Sequence, residues 1–144
     1  MIPTEERFSS ALHNSARAWR QAIDRRLKYL GLGQASWMTV ATVAKTAAPM
    51  SQTELANKLG VEDPTMVSML DRLVKAGYLL RQPSVTDRRV KLIVLTEAGQ
   101  HVYNKVRHEA VEFRKEILQG VDRAKLAELT LLLEQLQAAA EAAL

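Results

Sequence analysis

The chain has 144 residues, with 20 Lys and Arg against 16 Asp and Glu, a formal net charge of +4 and no cysteine. At 47% hydrophobic and 25% charged, with only 6 Gly and 4 Pro, it reads as a folded domain, not a disordered or fibrous chain. The missing cysteines exclude a disulfide scaffold, a thiolate metal site and a thiol redox switch. No apolar run approaches the ~18–20 residues of a membrane span, and charges run through residues 1–20, unlike a secretory signal. A cytoplasmic protein without a membrane partner is expected. Its charge is uneven: residues 1–49 hold 7 basic and 3 acidic side chains, 50–92 hold 7 and 5, and 93–144 hold 6 and 8. A positive front and an acidic tail suit an anionic partner that touches only part of the surface.

In chain order, Phe8, Leu12, Ala16, Trp19, Ile23, Leu27 and Leu30 recur at steps of three and four, predicting a long amphipathic helix over 5–30 that Gly31 and Gly33 end. A second helix is expected over 35–46, with Trp37, Val40, Ala41 and Ala44 inward. Ser51 and Glu54 have capping-box spacing before a short helix that closes at Gly60. Asp63 as N-cap and Pro64 at the first helical position open the next helix, which Gly77 stops. Two short helices joined by a few residues form a helix-turn-helix. Residues 78–82 and 90–95 then read as the two strands of a hairpin with a basic tip. Thr96 caps a helix reaching about Leu118, and a last helix runs from Arg123 to Ala143 with Leu126, Leu129, Leu132, Leu133, Leu136 and Ala140 along it.

These terminal stripes are wider than the small middle module can cover. Interleaving the first and last helices of two chains in a symmetric homodimer would bury them, the alternative being an ordinary monomeric helical core. The expected organisation is one domain over 1–144, with a winged module at 35–95 and dimerisation helices at 5–30 and 97–143.

At 100° per residue, the helix from Pro64 places Met66, Val67, Leu70, Leu73 and Val74 in one apolar sector. Thr65, Ser68, Arg72 and Lys75 lie opposite, flanked by Pro64, Met69 and Asp71. Small polar residues for base edges and cations for phosphates suit a helix entering a major groove. A solvated helix face has a similar composition, so this helix alone does not choose between the two. The hairpin adds Arg81, Arg88, Arg89 and Lys91 against Asp87. An Arg at a hairpin tip can enter the minor groove beside a helix-filled major groove. Asp87, two residues before Arg89, is spaced to orient that guanidinium.

The order helix-turn-helix, strand, basic tip, strand, long helix is the winged-helix plan. The residues that carry it, ELA at 54–56, the Leu70-Asp71-Leu73-Gly77 pattern, Asp87-Arg88-Arg89 and LTEAG at 95–99, resemble the multiple-antibiotic-resistance regulator (MarR) family, close to its SlyA branch. The resemblance implies a mainly α fold with a small β-hairpin wing, a winged helix-turn-helix with N- and C-terminal dimerisation helices. It also implies a homodimeric transcription regulator of double-stranded DNA that binds a pseudo-palindromic operator. Carried over residue by residue, it assigns base and nearby backbone contacts to Pro64, Thr65, Ser68 and Arg72. Ser51, Gln52 and Thr53 meet phosphate at a helix start, while Arg89, with Asp87 as its orienter and beside Arg88, takes the minor groove; from the helix face itself, Lys75 is expected to meet phosphate without discriminating sequence. Ser68 stands where some SlyA-like members carry Arg, so their operator preference does not transfer. The resemblance further implies a small aromatic or phenolic effector, with Trp19, Tyr29 and Trp37 as candidate lining and His13 or Arg17 as anchor. Aromatics at helical spacing more often belong to a core.

Other functions find less in the sequence. His13, His101 and His108 lack a completing ligand set nearby, and the His108–Glu112 spacing suits a plain helix-surface pair. There is no nucleophile elbow, phosphate loop or catalytic triad context. Neither an enzyme, a metal site nor a cofactor is expected. The alternative is a winged helix used for protein interaction without DNA, which salt-dependent duplex binding would distinguish.

Overall fold

The computed structural model describes all 144 residues. Helix α1 (Thr4–Leu27) is followed by a 3-10 turn (Lys28–Leu30), α2 (Gln34–Lys45), strand β1 (Met50–Ser51), α3 (Gln52–Leu59) and α4 (Asp63–Lys75). Strands β2 (Leu79–Pro83) and β3 (Lys91–Leu95), then α5 (Glu97–Ile117) and α6 (Arg123–Ala142), complete the chain. It forms two compact units, Met1–Val111 and Glu112–Leu144.

The core of the first unit is built where α2, α3, α4 and the sheet meet. Val40, Val43, Leu55, Ala56, Met66, Met69, Leu70, Leu73, Leu79 and Ile93 are its buried members. Two polar ties hold α1 in this unit. The Trp37 indole N–H donates to Asp24 Oδ1 at 3.0 Å, and Arg26 pairs with Glu109 of α5 at 3.1 Å. Only the C-terminal part of α1 is buried, at Ile23 and Leu27, whereas Phe8, Leu12 and Trp19 of its stripe are exposed.

The sheet has three strands where the sequence predicted two, in the order β1-β3-β2 and antiparallel throughout. Met50 and Ser51 pair with Ile93 and Leu92. A two-residue strand has no periodicity to read, and only its distant partner defines it. Ser51 then caps α3: its Oγ accepts the Glu54 N–H at 3.1 Å, one half of the capping box expected, while the Glu54 carboxylate accepts the Ser51 hydroxyl at 3.2 Å. Gly60 closes α3 at φ 69°, a left-handed conformation that a side chain would strain.

Two expectations for α4 are corrected. Glu62, not Asp63, is its N-cap, without a side-chain cap bond, and Asp63 is the first helical residue with Pro64 after it. The Asp63 carboxylate still lies at the positive end of the helix dipole. Met69, expected on the flank of the outer face, is buried at 4% exposure, while Val67 is exposed at 38%. The buried arc is therefore rotated towards Met69, because Met69 faces α2, where its Sδ accepts the Ser36 hydroxyl.

Helix α5 starts at a close junction. Thr96 Oγ1 donates to the Gly77 carbonyl at 2.6 Å and accepts the Gly99 N–H at 3.0 Å, while the Thr96 N–H donates to the Tyr78 carbonyl at 3.1 Å. Gly99 sits so near Tyr78 O that a Cβ there would overlap it. The LTEAG run thus fastens α5 to the chain leaving α4.

In the second unit, Asp122 caps α6 by accepting the Ala124 N–H at 2.9 Å, and Lys115 pairs with Glu112 at 3.3 Å. No residue of α6 is buried. Leu129, Leu131, Leu132 and Leu133 are all exposed.

Candidate nucleic-acid interface

Three segments carry the candidate DNA-binding residues, and the fold ties them together. At the start of α3, Ser51 and Gln52 are half-buried and Thr53 is exposed, with backbone N–H groups of the first turn at the helix end. Such an end favours anions. On α4, Pro64, Thr65, Ser68, Arg72 and Lys75 are all exposed, whereas Met66, Met69, Leu70 and Leu73 are held in the core. The outer face therefore presents a neutral N-terminal end and a cationic C-terminal end, as the periodicity predicts.

The wing loop organises itself. The Ser84 N–H donates to the Val90 carbonyl at 2.8 Å and the Val90 N–H to the Asp87 carbonyl at 3.0 Å, closing the loop on the β2–β3 ladder. Within it, Asp87 Oδ1 accepts the Arg89 backbone N–H at 3.0 Å and Nε at 3.2 Å. The Arg89 Nη2 reaches Asp87 Oδ2 at 3.4 Å. The Arg89 side chain nonetheless remains 92% exposed. These bonds hold the Asp87 carboxyl below its ordinary pKa of 3.8, the Arg89 guanidinium first and its backbone N–H second. The pair is thus intact at neutral pH and is lost only as pH falls through that lowered value. Arg88 is exposed beside it.

Arg81, which the sequence reading counted only as wing charge, has a specific position. It donates to Asp71 on α4 at 2.7 Å, joining the root of the wing to the helix. The period of two along β2 is the signal that could have found it: buried Leu79 and Arg81 share the sheet face turned to α4.

The candidate effector residues are only partly brought together. A cleft of about 460 Å³ is lined by Leu12, His13, Ala16, Arg17, Arg20, Gln21 and Gln34. An adjoining cavity of about 240 Å³ shares Arg20 and Gln34 and is floored by Met38, Leu59, Val61, Met66 and Met69. His13 and Arg17 line the first, but Trp19, Tyr29 and Trp37 line neither. Tyr29 is exposed in the 3-10 turn, and Trp37 is held by Asp24. The cleft is mostly polar and the cavity floor methionine and aliphatic, with Arg20, one helical turn beyond Arg17, shared by both. No group of three or more His, Asp or Glu side chains is placed to hold a metal ion. No helix is long and apolar enough to cross a membrane.

Residues 34–91, from the start of α2 to the start of β3, match the model of the MarR family. The crystal structure of transcriptional regulator PA3341 is 36% identical, with a TM-score of 0.87 over 93% of this chain and 98% of that one. The chain belongs to the MarR family. Two more distant structures share the fold. That of SlyA is 22% identical, with a TM-score of 0.80 over 92% of this chain and 93% of its own. AbsC, a MarR family transcriptional regulator from Streptomyces coelicolor, is 19% identical, with a TM-score of 0.83 over 99% and 98%. Membership makes this MarR-family chain a DNA-binding transcription regulator and not an enzyme, and its mainly helical fold with a small antiparallel wing is that of the family.

Proposed function

We propose that the protein binds a pseudo-palindromic operator as a homodimer, with residues 64–76 of α4 in the major groove and the wing at 83–89 in the minor groove. The observation that carries this reading is Arg89. An arginine held by its own loop and 92% exposed contributes little to the fold, but is already oriented for a narrow electronegative groove. Thr65, Ser68 and Arg72 read bases, Lys75 and the start of α3 meet phosphate, and Arg88 adds charge. The exposed leucines of α6, and separately Phe8 and Leu12 of α1, support the dimer as apolar stripes that a second copy would cover by symmetry. Such a regulator works in the cytoplasm, where it reaches its DNA.

Selection from a random duplex pool, followed by titration of the enriched sequence, tests the reading. Changing Ser68 or Arg72 should reorder the preferred sites, because base contacts discriminate by about 1–3 kcal/mol per pair. Lys75→Ala should weaken all duplexes alike and reduce the salt slope. An unchanged ranking in the Ser68 and Arg72 variants would remove α4 from the groove.

The paired cavities support an effector that is a small aromatic or phenolic anion. The Met38, Met66 and Met69 floor accepts a flat apolar body, and Arg17 and Arg20 supply the anion's partners. Beside them, α2 begins without a side-chain cap or an acidic residue in its first turn. Since Met66 and Met69 belong to α4, an occupant would bear directly on the reading helix. Hydroxybenzoate should lower duplex affinity in the parent and lose that effect in Arg20→Ala.

A further inference from the structure

We infer that Arg81 and Asp71 form a positioning pair that sets the wing against the reading helix, so that both grooves are engaged in one register. The inference rests on the DNA-binding reading above.

Arg81 lies on β2 two residues after buried Leu79, on the same face of the strand. Leu79 enters the core, and Arg81 continues past its edge along α4. There its Nη2 donates to Asp71 Oδ1 at 2.7 Å and to the Val67 carbonyl at 3.4 Å. Val67 and Asp71 are four residues apart, one turn along the same side of α4. Both bonds come from the one Nη2, and because the Val67 carbonyl points along the helix towards residue 71, they anchor the guanidinium at one level of α4.

Asp71 needs an explanation that repulsion does not give. It is a carboxylate, 61% exposed, next to Arg72 on a helix whose outer face is offered to a polyanion. Left alone it would oppose phosphate. With Asp71 open to solvent and Arg81 half-buried, the pair adds only modestly to folding stability. Core packing of Leu79 and Ile93 against α4 and the link through Ala76, Gly77 and Tyr78 already hold the two readers together, and the pair adds a directional polar tie beyond the edge of that core. The Arg89 tip extends from the same hairpin, so a small rotation at its root is a larger displacement at its end.

The test uses the full-length protein, the duplex it enriches from a random pool, and a scrambled duplex of equal length and composition. The readout is the ratio of the two affinities, which a simple change of charge near DNA leaves nearly constant because both duplexes carry the same phosphates. Asp71→Asn should lower that ratio by about tenfold, the size of a lost charged contact, despite removing a negative charge. Arg81→Gln should do the same, and the reversed pair, Asp71→Arg with Arg81→Asp, should recover most of the ratio. Melting temperatures should barely move. If Asp71→Asn instead strengthens both duplexes equally, Asp71 merely repels phosphate and the inference is overturned. A ratio that falls only with melting temperature, without recovery in the reversed pair, overturns it equally. If the parent enriches no duplex, it is the DNA-binding reading that fails.

Discussion

Gly99→Ala isolates the junction between the exit of α4 and the start of α5. Gly99 is not in a left-handed conformation, so backbone strain is not the issue and space alone decides. An alanine methyl would overlap Tyr78 O and lie 2.9 Å from Leu95 Cδ1. The leucine end can rotate away, but the carbonyl cannot. Tyr78 O accepts the Thr96 N–H at 3.1 Å, and the Tyr78 N–H is itself held by the Leu73 carbonyl at 3.0 Å. Relief thus requires α5 to slide outward, weakening the Thr96 bonds to Tyr78 and Gly77. Overpacking against a fixed group costs roughly 1–3 kcal/mol or more. Against it stands a gain of at most ~1 kcal/mol for alanine over glycine in a helix. The net expectation is a loss of about 1–2 kcal/mol, or a melting temperature lower by roughly 3–10 °C for a chain of this size. Thermal and urea unfolding of parent and variant at one protein concentration would measure it, the concentration being fixed because association contributes to apparent stability. A Gly99→Ala protein as stable as the parent would refute the argument.

Arg89→Ala should weaken operator binding on the order of tenfold or more with folding unchanged, Asp87→Ala should do so less, and Arg88→Ala least, mainly flattening the salt dependence; titration of one duplex at two salt concentrations checks the order, and Arg88→Ala as the most damaging variant would reverse the assignment. By carboxyl NMR, Asp87 should titrate below 3.8 in the parent and move up towards that value in Arg89→Ala; no movement would detach the two residues in solution. Deleting Arg123–Leu144 should give an aggregating or unfolded chain, read by sedimentation and circular dichroism, because the remaining stripes lose their cover; a soluble folded monomer would remove the case for the dimer.

The element plan was legible because punctuation and period agreed: Gly31, Gly60 and Gly77 close their helices, and Ser51 with Glu54 opens α3 as spaced. The wing pair was legible for a similar reason, since Asp87 and Arg89 are close enough in sequence for local geometry to join them. What escaped depends on tertiary partners. Strand β1 exists only through β3, and Met69 is inside because Ser36 and α2 stand over it. Arg81 and Asp71 are ten residues apart on different elements, so neither helix nor strand period alone pairs them. Trp37 lines neither cavity because a Trp indole N–H seeks a polar partner when partly buried, and it finds Asp24, 13 residues away on α1.

Ser51 ends β1 and caps α3 at the same time. Its strand partner, Leu92, lies on the far side of the helix-turn-helix and the hairpin, so one residue closes a loop of about forty others, a connection of high contact order. The winged module is therefore a ring in the topological sense. A fragment ending before Leu92 would leave β1 unpaired, and one starting after Ser51 would leave both α3 uncapped and β3 with a bare edge. Neither the helix pair nor the hairpin is a part that can be cut out and grafted by itself. A transplant of this reading head into another scaffold has to carry the whole circuit from Met50 to Ile93.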